Sequence, residues 1–212
     1  MSTMKLSLKV LNPGKMKKDI LKAILGHMKP RVKQWAPSIE SSIGAVILNA
    51  LQKSSTVQAI KSGELREEFG LTNPGVIDDI ILAIVDSDKL TINGPKISGN
   101  NISLRIRYEA SPIDLSQYES VGRQVTAKGQ SLPWFQWLTT LGDAIIVRDF
   151  EVQAGFPNSS RTGDKIMVKG RGWRVPPGHS GSQGNNFITK AIDSQLPEIS
   201  KILMNKIEIM FS

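Results

Sequence analysis

The chain has 212 residues, 40% of them hydrophobic, a formal net charge of +8 and no cysteine. Such a length and apolar content can bury one substantial core and requires no second domain, while the missing cysteine excludes disulfides, thiolate metal sites and a cysteine nucleophile together. No run approaches the roughly 18 to 20 apolar residues of a membrane-spanning helix and no secretory leader is visible at the start, so a soluble protein assembled in a cytoplasm is expected.

In chain order, Lys5-Leu6-Ser7-Leu8-Lys9-Val10 alternates with period two and predicts a half-buried strand. Asn12-Pro13 pairs a helix cap with a proline at the first helical position, and Ile20, Leu21, Ile24, Leu25 and Met28 recur at helical spacing after it. Pro30 is expected to end or kink that helix. From Val32, the set Trp35, Ile39, Ile43, Val46, Ile47, Ala50 and Leu51 predicts a long amphipathic helix with Pro37 near its beginning. Short helical stretches follow over Val57–Lys61 and Glu64–Phe69, and Asn73-Pro74 opens a helix whose face carries Val76, Ile77, Ile80, Ile81, Ile84 and Val85.

The period changes after Ser87. Leu90–Ile92 and Ile102–Tyr108 alternate around turn-rich residues and predict a hairpin, with Arg105 and Arg107 away from the core face. Leu132–Leu141 reads as a short helix carrying Trp134, Phe135, Trp137 and Leu138. Ala144–Val152 reads as a strand central in the sheet. Lys165–Val168 and Trp173–Val175 flank Lys169-Gly170-Arg171-Gly172, which predicts a second hairpin stopped by Pro176-Pro177. A terminal helix runs from Asn186 to Phe211, with a kink expected at Pro197. The fold class that follows is α+β: a small, mostly antiparallel sheet packed on a long N-terminal helix and a C-terminal helix, with a protruding β-hairpin.

Motifs for chemistry are thin. Gly163-Asp164-Lys165 and Gly170-Arg171-Gly172 lack the spacing of phosphate or dinucleotide loops and read as strand turns. His27 and His179 lie far apart, and neither has a second ligand at helical spacing, so no metal or other cofactor is expected. Ser180 and Ser182 lie too close to His179 in sequence for a preformed triad, and the adjacent Asp78 and Asp79 diverge around a helix by about 100°. An enzyme is not expected.

Charge is unevenly distributed. Nine Lys or Arg residues and one acid, Asp19, lie between Lys5 and Lys33, whereas acids outnumber bases from Glu64 to Asp88. The basic cluster fits an anionic partner, a neighbouring copy, or a solvated helix face. Trp134-Phe135-x-Trp137 reads more readily as core than as a partner patch. Trp173 sits among Arg161, Lys165, Lys169, Arg171 and Arg174, a basic arm with an aromatic anchor that could touch DNA phosphates, bury itself in a neighbouring subunit, or stand in solvent.

Ser160-Arg161-Thr162-Gly163, the following hairpin and Gly/Ser loop, and the helix start Asn186-Phe187-Ile188-Thr189-Lys190-Ala191 resemble the tail-completion, or head-to-tail joining, neck proteins of tailed bacteriophages. Val57–Leu71, Leu132–Leu138 and Gly142-Asp143 look like segments of phage virion proteins, so the resemblance covers most of the chain. It implies one virion structural domain over 1–212 with an insertion at about 55–130, and a homo-oligomeric ring, expected as a hexamer, between portal or adaptor and tail tube. The implied subunit interface is Arg161, Lys169, Arg171, Trp173, Arg174, Asn186 and Phe187. Lys15, Lys17, Lys18 and Lys22 would line the DNA channel. The insertion leaves the tail terminator, which caps the tube, as an alternative station. A free nucleic-acid-binding protein is the alternative outside the virion.

Overall fold

A computed structural model describes residues 12–87, 89–109, 115–126 and 129–211. The strand expected at Lys5–Val10 lies outside these residues. Helix α1 (Pro13–Lys53) is opened by Asn12, whose side chain accepts a 3.0 Å hydrogen bond from the amide of Lys15. It runs unbroken for 41 residues through Pro30 and Pro37, where the sequence predicts two helices. An interior proline removes one backbone hydrogen bond and costs about 3 kcal/mol. Packing on both sides outweighs that cost: Met28 and Val32 are buried against one part of the fold, and Ile39, Ile43, Ile47 and Leu51 are fully buried against another. Each such side chain contributes about 1.5–3 kcal/mol. Both prolines lie on the exposed side.

Ser54 closes α1 with its amide on the carbonyl of Leu51 and opens α2 (Ser55–Ser62) by accepting from the amide of Val57. Helix α3 (Glu64–Phe69) ends at Gly70, whose φ of 61° lets the chain turn back while its amide reaches the Glu67 carbonyl and that of Leu71 reaches Arg66. Helix α4 (Val76–Ser87) then lays Ile77, Ile80, Ile81 and Ile84 into the core.

Strands β1 (Lys89–Ser98) and β2 (Asn101–Glu109) form an antiparallel hairpin. Ile92, Ile102 and Leu104 meet Met28, Val32 and Trp35 of α1 in a small cluster separate from the main core.

After a 3-10 turn (Leu115–Tyr118), β3 (Gln124–Val125) pairs with β4 (Ser131–Leu132), and α5 (Trp134–Thr139) buries Trp134, Phe135, Trp137 and Leu138. Strand β5 (Phe150–Gln153) pairs antiparallel with β6 (Ile166–Lys169). The hairpin expected across 165–175 is corrected: beyond β6 the chain does not fold on itself. The Gly170 amide donates to the Asp149 carbonyl, and Trp173 exchanges hydrogen bonds with Val147, so Gly170 and Gly172 belong to an irregular continuation of the β5–β6 ladder. The strand expected from Ala144 is regular only from Phe150, and Ile145 is exposed. Among the described residues the strands form three two-stranded antiparallel sheets.

The C-terminal helix is divided into α6 (Phe187–Ser194) and α7 (Leu196–Phe211). The break is at Gln195, and Pro197 falls in the first turn of α7, where its missing amide costs nothing. The α1 face from Ile39 to Leu51, helices α2 to α6 and the start of α7 enclose one core.

Candidate assembly surfaces

The Ser160–Gly163 motif is a clasp within the chain. Ser160 Oγ accepts from the amides of Thr162 and Gly163 at 3.4 and 3.3 Å, shaping a tight loop. The Arg161 guanidinium then crosses Gly70 and donates to the Val125 carbonyl at 3.2 Å. A Cβ at Gly70 would come within 2.6 Å of that guanidinium, and one at Gly163 within 2.6 Å of the Glu67 carboxylate. Both glycines let the loop close on α3.

Trp173 is 7% exposed. Its ring lies 5.7 Å from Phe69 and 5.6 Å from Trp137, and its indole N–H donates to Glu68 Oε2 at 3.1 Å while Lys165 holds the other carboxylate oxygen. Asn186 is fully buried: its Oδ1 accepts from the amides of Ile188 and Thr189, and its Nδ2 donates to the Ser182 carbonyl. Phe187 packs edge-on against Phe135. The expected interface set therefore divides. Arg161, Lys169, Arg171 and Arg174 are exposed, whereas Trp173, Asn186 and Phe187 are corrected to core positions of their own chain. An indole surrounded by basic residues looks the same in sequence whether it faces out or in; here Phe69 and Trp137 supply the partners that decide.

Between the clasp and the β5–β6 ladder lies a cleft of about 720 Å³, floored by Trp137 and Trp173 and rimmed by Phe150, Met167, Arg148 and Arg161. The loop after Pro177 is tied down by His179, whose Nδ1 lies 3.1 Å from Thr56 Oγ1 and whose Nε2 lies 3.1 Å from Glu64 Oε1. Hydroxyl, imidazole and carboxylate in line is the arrangement of a nucleophilic triad. Thr56 is 3% exposed at the start of α2, and its hydroxyl pins the loop through His179 beside a cavity of about 380 Å³ that both residues line. The sequence has no signal for this tie, because its three residues come from 56, 64 and 179.

The first half of α1 is a different kind of surface. Met16, Ile20 and Ile24, at i, i+4 and i+8, are 47%, 50% and 42% exposed. The apolar set expected to pack splits in two: Leu21 and Leu25 are half-buried and Met28 buried, while Ile20 and Ile24 face outward. Ile24 continues into a groove of about 560 Å³ lined by Ile102, Leu104, Ile106, Leu203, Met204 and Ile207. Lys15, Lys17, Lys18 and Lys22 are all exposed on this same stretch, but Lys17 points about a quarter-turn or more away from the other three.

Among the described residues, no group of His, Cys, Asp and Glu is placed to hold a metal, and no helix is long and apolar enough to cross a membrane. Comparison with protein-family models, curated proteins and solved structures finds no match to the chain.

Proposed function

We propose that this chain is a structural subunit of a tailed-phage particle, a neck protein that closes with copies of itself into a ring joining portal or adaptor to tail, and that it transforms no substrate. The observation that carries the reading is the unfinished apolar surface of α1, from Met16 through Ile24 into the groove against β2 and α7. Apolar area of this kind, contiguous and rimmed by charge, marks contact with another protein. A head-to-tail contact of that sort closes into a ring when its rotation is right. The exposed Arg161, Lys169, Arg171 and Arg174 supply a polar rim at a second surface. The resemblance of the clasp and helix-start motifs to neck proteins supplies the station: the virion neck, filled from the host cytoplasm. A tail terminator would use the same surfaces one level lower.

Two measurements test this. Light scattering at rising concentration should show masses above the 23.3 kDa chain, and cryo-electron microscopy of purified particles should place the chain at the neck. A chain that stays monomeric at all concentrations and is absent from purified particles would end the reading.

A further inference from the structure

Because α1 runs through Pro30 without a break, lysines from both sides of that proline fall on one face. At about 100° per residue, Lys15, Lys18, Lys22, Lys29 and Lys33 lie within an arc of about 60°, and Lys15 and Lys33 stand about 27 Å apart along the axis. All five are exposed. Among the described residues none is paired with a carboxylate. Asp19 flanks the stripe about 40° beyond its edge and trims its charge without cancelling it. Lys17 lies outside the arc by about 100°.

We infer that this stripe is a rail for the phosphates of duplex nucleic acid. Its length spans about eight base-pair steps of a duplex at 3.4 Å of axial rise each. The stripe contains no aromatic residue, so there is no platform on which unpaired bases would stack, and a duplex fits better than a single strand. It contains lysine and no arginine: mobile point charges without the fork that fixes a bidentate partner, which suits contact independent of sequence and easily broken by salt. A membrane fits less well, since the outward apolar face of Met16, Ile20 and Ile24 carries no Trp, Phe or Leu to anchor in a lipid interface and, on the neck reading, is covered by a neighbouring copy. The inference rests on the neck reading for the source of the duplex, the packaged genome, and for the benefit of a weak rail: polymer held loosely can slide.

The test is fluorescence anisotropy of the full chain with a labelled 20-base-pair duplex. With up to five phosphates neutralised, affinity should fall by about 500-fold between 50 and 200 mM salt, following a slope of about −0.9 per contact. The double substitution Lys18→Gln and Lys22→Gln should reduce that loss to about 40-fold, while Lys17→Gln should leave it unchanged. Equal effects of the Lys17 and the double substitutions, or no duplex binding at 50 mM salt, would overturn the inference. So would stripe-dependent binding to anionic vesicles without duplex binding, or loss of oligomer mass on the double substitution. The neck reading fails separately: stripe-dependent binding by a chain absent from particles would leave the rail standing and remove its station.

Discussion

Replacing Trp173 by alanine separates two accounts of the Ser160–Asn185 region. If the indole were a hook for a neighbouring subunit, its loss would spare the monomer and stop assembly. In the structure it is a core residue, in ring contact with Phe69 and Trp137 and hydrogen-bonded to Glu68. Truncating a buried tryptophan costs about 3–5 kcal/mol, and the Glu68 carboxylate would lose one of its two described partners. A loss of about 4 kcal/mol is a large part of the roughly 5–15 kcal/mol that holds a domain folded. Urea unfolding followed by far-ultraviolet circular dichroism, which does not depend on the removed indole, should show a midpoint lower by about 2 M for a slope near 2 kcal/mol/M. Trp173→Phe keeps a ring on Phe69 but loses the hydrogen bond to Glu68 and part of the buried ring volume, so it should cost about 2–3 kcal/mol, less than the alanine. Arg174→Ala, an exposed neighbour, should change stability by less than about 0.5 kcal/mol. A Trp173→Ala chain as stable as the parent, yet unable to join particles, would refute the core assignment and restore the hook.

Asn186→Ala removes the cap of α6 and the side-chain donor to the buried Thr139 carbonyl, so stability should fall by about 2 kcal/mol in the same urea assay. Met16→Ser with Ile20→Ser should cost no more than about 1–2 kcal/mol, because both side chains are half in water, but should lower the oligomer mass measured by light scattering. Pro30→Ala should stabilise the chain by about 1–3 kcal/mol, since α1 is already helical there and alanine restores the missing amide.

How far the sequence could be read depended on whether a feature was settled locally. Helix α4 and the second half of α1 were legible because their apolar residues repeat at helical spacing over several turns, and the Leu90–Tyr108 hairpin because alternation flanks turn residues. The exposed lysines of α1 were legible as a cluster. The pairing of residues 147–153 with 166–173 was not: Lys169-Gly170-Arg171-Gly172 has the composition of a turn, and only the burial of Trp173 beside Phe69 and Trp137 selects a bulged ladder instead. The same limit concealed the His179 tie and the inward setting of Asn186 and Phe187.

Pro30 shows how one such tertiary decision shapes a whole surface. Read locally, it divides α1, and the lysines before and after it would then belong to two helices with unrelated directions. Met28 and Val32, two residues to either side, are both buried, so the helix is held continuous through the proline by what it packs against. The phase of Lys29 and Lys33 is thereby locked to that of Lys15, Lys18 and Lys22, and scattered charge becomes a row. Lys17, nearer in sequence to Lys18 than any other member, is excluded by the same geometry. The consequence can be checked apart from any nucleic acid: a break at Pro30 would place Lys22 and Lys33 at variable separation, whereas one continuous helix sets their α-carbons about 16–17 Å apart. Spin labels at those two positions, unambiguous in a chain without cysteine, should give a single narrow distance distribution, and a broad or bimodal one would dissolve the row.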